Sequence, residues 1–443
     1  GLTANYCLKS QRNVVLEFND RIGGTAAAGQ GKTTPFPLGA HYEHDVMPYF
    51  GEELIDLLLE LELIEAMPGA RKFTFVDRHH YVQGDIREEQ HISRDGYYYK
   101  SIWPLLLKED VFTQFNRRIF PFVGQSTLPS RLVSEEMKAM GNETFEFWLK
   151  KNGLALPVEV KCAMEQAMRS DYGASSSVIS AFAGVHYFTC RPYMSDQDNG
   201  VGTFSPPEGL SYFANKLHGA TPDADIRLRH LVRNVVDRVS HVEVRALDLE
   251  RRETRVFRAK NVVYASPKKT LKYTYPAAAK LFARNAYAAW ITVTMEFAEF
   301  PAQGALKWSS GAYEPTETYV GMTWVNHNAR SELPVVTHYL AFAPGRLEHL
   351  RALLSKPKDL IHLCLQQLEL LLGANASKYL RSVVIQKLGH AMPTPVPGSL
   401  FIEPNKNRPS PRIVFAGVDT GRLPLVSEAL DSGIVAAKAL LDV

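Results

Sequence analysis

The chain has 443 residues, 45% of them hydrophobic and 22% charged, enough apolar material for two domains and a sizeable core. This is the usage of an ordinary globular protein, which excludes a disordered or low-complexity chain, and no run reaches the roughly 18 consecutive apolar residues of a membrane-spanning helix. The net charge of +3 is scattered apart from short basic runs at 233–238 and 250–255, so no nucleic-acid partner is expected. Cys7, Cys162, Cys190 and Cys364 have no CxxC spacing, which argues against a disulfide framework and against a metal site. Because the sequence opens on Gly1 and not on Met, targeting and compartment are not legible.

In chain order, GLTANYCLKS (1–10) has helical apolar spacing and NVVLEF (13–18) is a β-branched run ending near an acid. The segment IGGTAAAGQGKTTPFPLGAHY (22–42) follows, with five glycines and two prolines; loops of that length usually serve a ligand. A helix is expected over 47–65, on the pattern EELIDLLLELELIE, and the aromatic and apolar run GYYYKSIWPLLL occupies 96–107. Helices are expected within 110–168, including SRLVSEEMKAMG (130–141) and ETFEFWLKKNG (143–153), the latter closed by Gly153 as a C-terminal cap. The segment TFSPPEGLSYFANKL (203–217) reads as a turn into a helix, and 226–267 as consecutive strands. Strands are expected at 290–297 and 335–342, and an amphipathic helix at 359–372. The C-terminal stretch 411–443 reads as strand, glycine-bearing loop and long small-residue helix. The fold class is α/β with α+β inserts, one domain made from the two ends and the middle and the other from two inserts.

A dinucleotide site needs a glycine loop against the diphosphate, a helix whose N-terminus faces it, and an acid ending the second strand for the ribose hydroxyls. Gly1 stands where the third glycine of G-x-G-x-x-G would open the helix. Glu17 follows it by 16 residues, near the expected spacing of roughly 20. In LEFNDRIGG (16–24), Arg21 offers a planar bidentate cation for phosphate, and Gly23 and Gly24 allow close backbone approach.

That segment resembles the LEA-x-x-R-I-G-G stretch of flavin amine oxidases, phytoene desaturases and protoporphyrinogen oxidases. Further matches keep the family's order. PLGAHY (37–42), with Gly39, Ala40 and His41, resembles its stretch beside the isoalloxazine. LRHLV (228–232) places Val232 where a strand backbone touches the adenine side, and NVVYASP (261–267) resembles the strand closing this unit. FAGVDTGRLPLVSEALDSGIVAAKAL (415–440) resembles the second fingerprint, which implies Gly417 and Asp419 at the diphosphate and ribityl chain and Val426 at the flavin pyrimidine. The inserts resemble a bacterial branch labelled amine oxidase or spermidine dehydrogenase-like, through 203–217, 307–324 and LGHAMPTPVPG (388–398).

The resemblance implies FAD as cofactor, a Rossmann-like, NAD(P)-binding-like domain of residues 1–50, 200–286 and 387–443, and a substrate domain of mixed sheet and helices at 51–199 and 287–386. It implies an oxidoreductase taking hydride equivalents from a small-molecule amine or a related carbon–carbon bond. Two departures stand out. The first strand and the G-x-G-x-x half of its loop do not precede Gly1; they are expected upstream in the natural protein, or on a partner chain, with a non-catalytic binding or assembly subunit as the alternative. The lysine that holds a water at the flavin in many family members is absent from AAWITVTMEF (288–297), where Trp290 stands near its position. Catalytic candidates are Trp308 and Tyr319, with Trp324, as cage aromatics or as core, and His390 as base or donor or as a turn histidine bonded to backbone. A carotenoid or lipid desaturase or isomerase is the alternative activity. Membrane contact through 97–107 is allowed but not favoured over a core or tunnel lining.

Overall fold

A computed structural model of the chain describes residues 1–32, 34–44, 50–68, 72–77, 82–85, 90–93, 98–100, 106, 108–190, 202–299, 309–313, 321–326, 335–372 and 375–441. The first helix, Leu2–Cys7, buries Thr3, Ala4, Asn5 and Tyr6 and hands over to β1 (Val14–Leu16). Within the glycine-rich loop β2 (Ala28–Gln30) and β3 (Pro35–Pro37) pair antiparallel, and β4 (Glu43–His44) follows. The helix expected over 47–65 occupies only Glu52–Glu60. Glu62 turns the chain at φ 52°, and Ile64–Met67 becomes β5, pairing with β6 (Lys72–Phe75) so that Ile64 lies opposite Phe75. A short mixed stretch such as 61–64, with Glu62 inside it, fits either period, and here the tertiary partner decided.

After β7 (Val82–Asp85), β8 (Gln90–Ser93) and β9 (Tyr98–Lys100) comes a block of helices, Glu109–Arg118, Glu135–Ala139, Phe145–Lys151, Val158–Tyr172 and Ala181–Thr189. Ser134, Thr144 and Ser180 cap three of them by accepting from the backbone N–H three residues on. Gly153, at φ 70°, takes the left-handed place just past Phe145–Lys151, as expected. The block's core includes Phe115, Phe145, Phe182, Phe188 and Leu106. Leu106, which belongs to the run weighed as a membrane contact, is therefore interior, and no helix among the described residues is long and apolar enough to cross a membrane.

The chain returns to sheet with β10 (Gly202–Phe204), which lies between β4 and β7, then the helix Ser211–Gly219 and β11 (Asp225–Arg227). Strands β12 (His230–Asp237), β13 (Val242–Asp248) and β14 (Glu253–Ala259) form an antiparallel meander, and β15 (Val262–Tyr264) follows. Next come β16 (Ala286–Phe297), β17 (Ser309–Tyr313), β18 (Gly321–Asn326), β19 (Val335–Phe342), the helices Leu347–Leu354 and Pro357–Leu372, β20 (Leu380–Thr394), β21 (Ile413–Phe415) and the terminal helix Val426–Leu441.

Two parallel ribbons form from strands far apart in sequence, β1 with β11 and β15 with β21. Leu16 packs in the cluster that holds Tyr264, Ile413 and Phe415, while Val414 and Ala416 face the terminal helix at Ala436. Burial on both faces is what a parallel layer requires. The largest sheet has seven strands in the order β20-β16-β19-β18-β17-β8-β9. Along β16, Ala289, Ile291, Val293, Met295 and Phe297 join the core under the helices of 347–372, whereas Ala288 and Trp290 turn to the opposite face with Tyr339 and Ala341. The pairing of β20 with β16 runs past the expected domain break at 386/387 to Thr394, opposite Ala286.

Candidate active site

Glu17 directly follows β1. Its N–H donates to Arg227 O at 2.9 Å and its carbonyl accepts from His230 N at 2.8 Å, so the backbone is fixed between β11 and β12. One carboxylate oxygen accepts from the Asn19 backbone and amide at 2.7 and 2.9 Å; the other is the one that can take a ligand hydroxyl. Val232 lies beside a bulge in β12 and packs in the same cluster as Leu16. Arg21 is engaged within the protein. Its guanidinium engages the Asp20 carboxylate at 2.9 and 3.3 Å and Ala28 O at 3.1 Å, an exposed pairing that contributes little and that a phosphate can displace.

The glycine-rich loop is held open by backbone geometry. Gly23 and Gly24 have φ of 106° and 59°, and a Cβ on Gly24 would meet nothing within 4 Å. A Cβ on Gly39 would come within 2.4 Å of Thr25 O and 3.2 Å of the Leu388 side chain, so the loop lies against β20. Buried Glu296 on β16 accepts from Lys32 N at 3.0 Å and anchors the far end of the loop. His41 stacks on Tyr339 with centroids 4.6 Å apart, and enclosure there pushes its imidazole down to about 3, so it stays neutral.

At the ends of β15 and β21, Gly417 has φ 120°. Asp419 accepts four hydrogen bonds from the protein. One carboxylate oxygen accepts from Lys268 Nζ at 2.9 Å; the other accepts from Lys268 N at 2.6 Å and the Tyr287 hydroxyl at 2.8 Å; its carbonyl accepts from the Asn285 amide at 2.7 Å. The Asp419 side chain is thus buried and bonded to Lys268 and Tyr287. Burial, and then the Asp419 carboxylate, push the Tyr287 phenol far up, so it remains a neutral donor. The helix start at Val426, with Leu425, packs against the same core cluster as Ala26 and Ala40 of the glycine-rich loop. Gly1 opens the first helix with its Cβ position 3.5 Å from Ala265 Cβ at the end of β15.

His390 occupies a bulge. Trp290 lies opposite Leu388 and Ala288 opposite Met392, so residues 389–391 of β20 face Ala289 alone, the kind of irregularity that re-aims a side chain beside a site. Its Nδ1 lies 3.4 Å from Lys269 Nζ and its ring 5.9 Å from that of Tyr287. Desolvation first, then Lys269, lowers its pKa. Trp308 and Tyr319 lie outside the described residues; Trp324 is on β18, paired with Ser310 and His338. Trp290 is buried, and the end of helix Val158–Tyr172 closes over it, since a Cβ on Gly173 would sit 2.5 Å from its ring.

Lys268, Tyr287 and Asn285 were not singled out from sequence, nor was the buried network in which Arg422 bonds Glu428 and Asp431, Arg131 bonds Asp431 at 2.9 Å and Ser130 N donates to Glu428 at 2.8 Å. Apart from Arg422, six and nine positions from Glu428 and Asp431, their partners lie too far away in sequence for spacing to reveal them. The one local signal was the lysine pair that directly follows the strand ending in SP.

A turn free of side chains at Gly24, the close approach at Gly39 and the helix start at Val426 fit a flat, anionic dinucleotide. The chain belongs to the flavin containing amine oxidoreductase family, whose pattern matches residues 1–441. It is accordingly an FAD-dependent oxidoreductase acting on an amine as small-molecule substrate. Among solved structures it is similar to cyclohexylamine oxidase from Brevibacterium oxydans IH-35A, at 16% identity and TM-score 0.67, covering 100% of this chain and 96% of that one. It is also similar to putrescine oxidase bound to putrescine, at 14% identity and TM-score 0.65 with the same coverage. At such identities the likeness is one of fold. A search of curated proteins finds no sequence match.

Proposed function

We propose that this convergence of loop, turn and helix start is the flavin site. The observation that carries this reading is that Ala26 and Ala40 of the glycine-rich loop and Val426 of the terminal helix pack against the same core cluster, while Gly39 of that loop meets β20 two residues before His390. When bound, flavin would supply the two-electron acceptor for the hydride of the carbon bonded to nitrogen, the amine also losing a nitrogen proton as the C=N bond forms. The protein's part is placement and electrostatics. Glu17 holds a ribose hydroxyl, Gly23 and Gly24 admit the diphosphate, and Arg21 exchanges Asp20 for phosphate. Gly39 and Ala40 leave room for a flat ring, with neutral His41 beside it, and the start of the helix at Val426 favours negative charge on the pyrimidine. His390, its imidazolium disfavoured by burial and then by Lys269, serves as a neutral proton acceptor. In this reading 1–50, 200–286 and 387–443 form the cofactor domain and 51–199 and 287–386 the substrate domain, with β16 and β20 crossing between them.

The test uses the full natural protein. It should carry bound flavin, and anaerobic addition of a primary amine such as cyclohexylamine or putrescine should bleach the flavin absorption bands. Colourless protein that takes up no added FAD would overturn the reading.

A further inference from the structure

Lys268 is an ammonium with none of its side chain exposed. Its three N–H bonds match three acceptors, Asp419 Oδ1 at 2.9 Å, Ala416 O at 2.6 Å and Ser266 O at 3.0 Å. It has no donor left for a ligand, so its role cannot be direct contact. Yet it sits directly under the turn that the flavin reading assigns to the diphosphate, since a Cβ on Gly417 would be 3.3 Å from its Nζ and 3.1 Å from Asp419 Oδ1. All three acceptors belong to the ends of β15 and β21 or to the loop after β21. Left to themselves, two carbonyls and a carboxylate at strand ends present lone pairs and negative charge where an anionic group must arrive.

We propose that Lys268 is a positioning residue for the cofactor, which gathers the Asp419 carboxylate and the Ser266 and Ala416 carbonyls onto its ammonium and so clears the Gly417 turn of outward-facing acceptors. The inference rests on the flavin reading of this site. Asp419 then carries the effect further, because it also holds the Tyr287 hydroxyl and the Asn285 amide, and Tyr287 lies on β16 beside His390. The same ion pair therefore fixes the cofactor turn relative to the start of the seven-stranded sheet.

The test measures FAD affinity by flavin fluorescence quenching, together with the melting temperature of the FAD-free protein. Lys268→Met should weaken FAD binding at least about tenfold, the factor that corresponds to the loss of one charge-assisted hydrogen bond, and should lower the melting temperature because Asp419 is left buried without its cation. Lys268→Met combined with Asp419→Asn removes both charges and should recover most of the melting temperature. FAD affinity should stay weakened, because the two carbonyls remain ungathered. Tyr287→Phe, which keeps its ring and deletes one bond to Asp419, should fold normally and weaken FAD about threefold, within the range of one hydrogen bond. Wild-type affinity in the double variant, or in Tyr287→Phe, would overturn the role of Lys268 while leaving the flavin reading intact. A wild-type protein that binds no FAD would overturn the flavin reading itself and this inference with it.

Discussion

His390 and His41 are both kept neutral, by different means. Around His390 the cations Lys269, Arg351 and Lys272 add to the effect of burial. Lys269→Met should therefore move the His390 titration upward, measurable by NMR of its ring protons, and His390→Gln should lower kcat/KM by about 10²-fold or more if the imidazole handles a proton. An unmoved titration would show that burial alone sets it. For His41 the cause is enclosure, and its folded pKa of about 3 lies below the ordinary 6.5. The unfolded chain then binds the extra proton first as pH falls, so this stabilisation is present above about pH 6.5 and is lost between there and about pH 3. His41→Phe keeps the stack on Tyr339 and removes the titration. The melting temperature of the variant should decline less between pH 7 and about pH 4.5, where the histidine costs roughly 2–3 kcal/mol. Parallel declines for the two proteins would refute the assignment.

Elements place these residues through a few close approaches. The terminal helix crosses the first helix at Gly433, where an added Cβ would stand 2.5 Å from Thr3 Cβ and 2.9 Å from Ala4 N. Gly433→Ala must separate the two helices that bracket the cofactor turn, at a cost of about 1–3 kcal/mol by overpacking, and FAD affinity should fall with it. Gly219→Ala, where nothing lies within 4 Å, is the control and should leave both unchanged. Equal effects of the two substitutions in urea unfolding would show that the helix crossing does not hold the turn. This level was the most legible in sequence. Periodicity located the first helix, β1, β16, β19 and the terminal helix, and Gly153 marked its own cap, because each signal is local. It misread 61–65, where only the presence of Phe75 across the hairpin decides for strand, and it gave no hint of the bulge at 389–391, which exists only as a register against β16.

At the scale of the molecule, what spacing could not show is how the parts are tied together. Asp419 was legible as a fingerprint acid, but its partner Lys268 is 151 positions away, and nothing in either segment specifies that the carboxylate turns inward. The helical block is tied to the terminal helix in the same way. Arg131 and Arg422 share Asp431, and Glu428 takes Ser130 N and Arg422. Glu428 and Asp431 have no exposed side-chain surface, so removing Arg422 leaves buried carboxylates short of a cation, a loss of about 3–5 kcal/mol. Arg131 is partly exposed, and Arg131→Met should cost less. Burial raises the Glu428 pKa and Arg422 opposes that rise. A carboxyl whose folded pKa is raised binds a proton more readily in the folded state, so its contribution is full below the unfolded pKa and declines as pH climbs through the folded one. Arg422→Met removes the opposing cation and should steepen that decline. The stability gap between wild type and Arg422→Met, measured by urea unfolding, should therefore be wider at pH 8 than at pH 5, and a gap that stays constant would mean that Glu428 is not the group left without its cation.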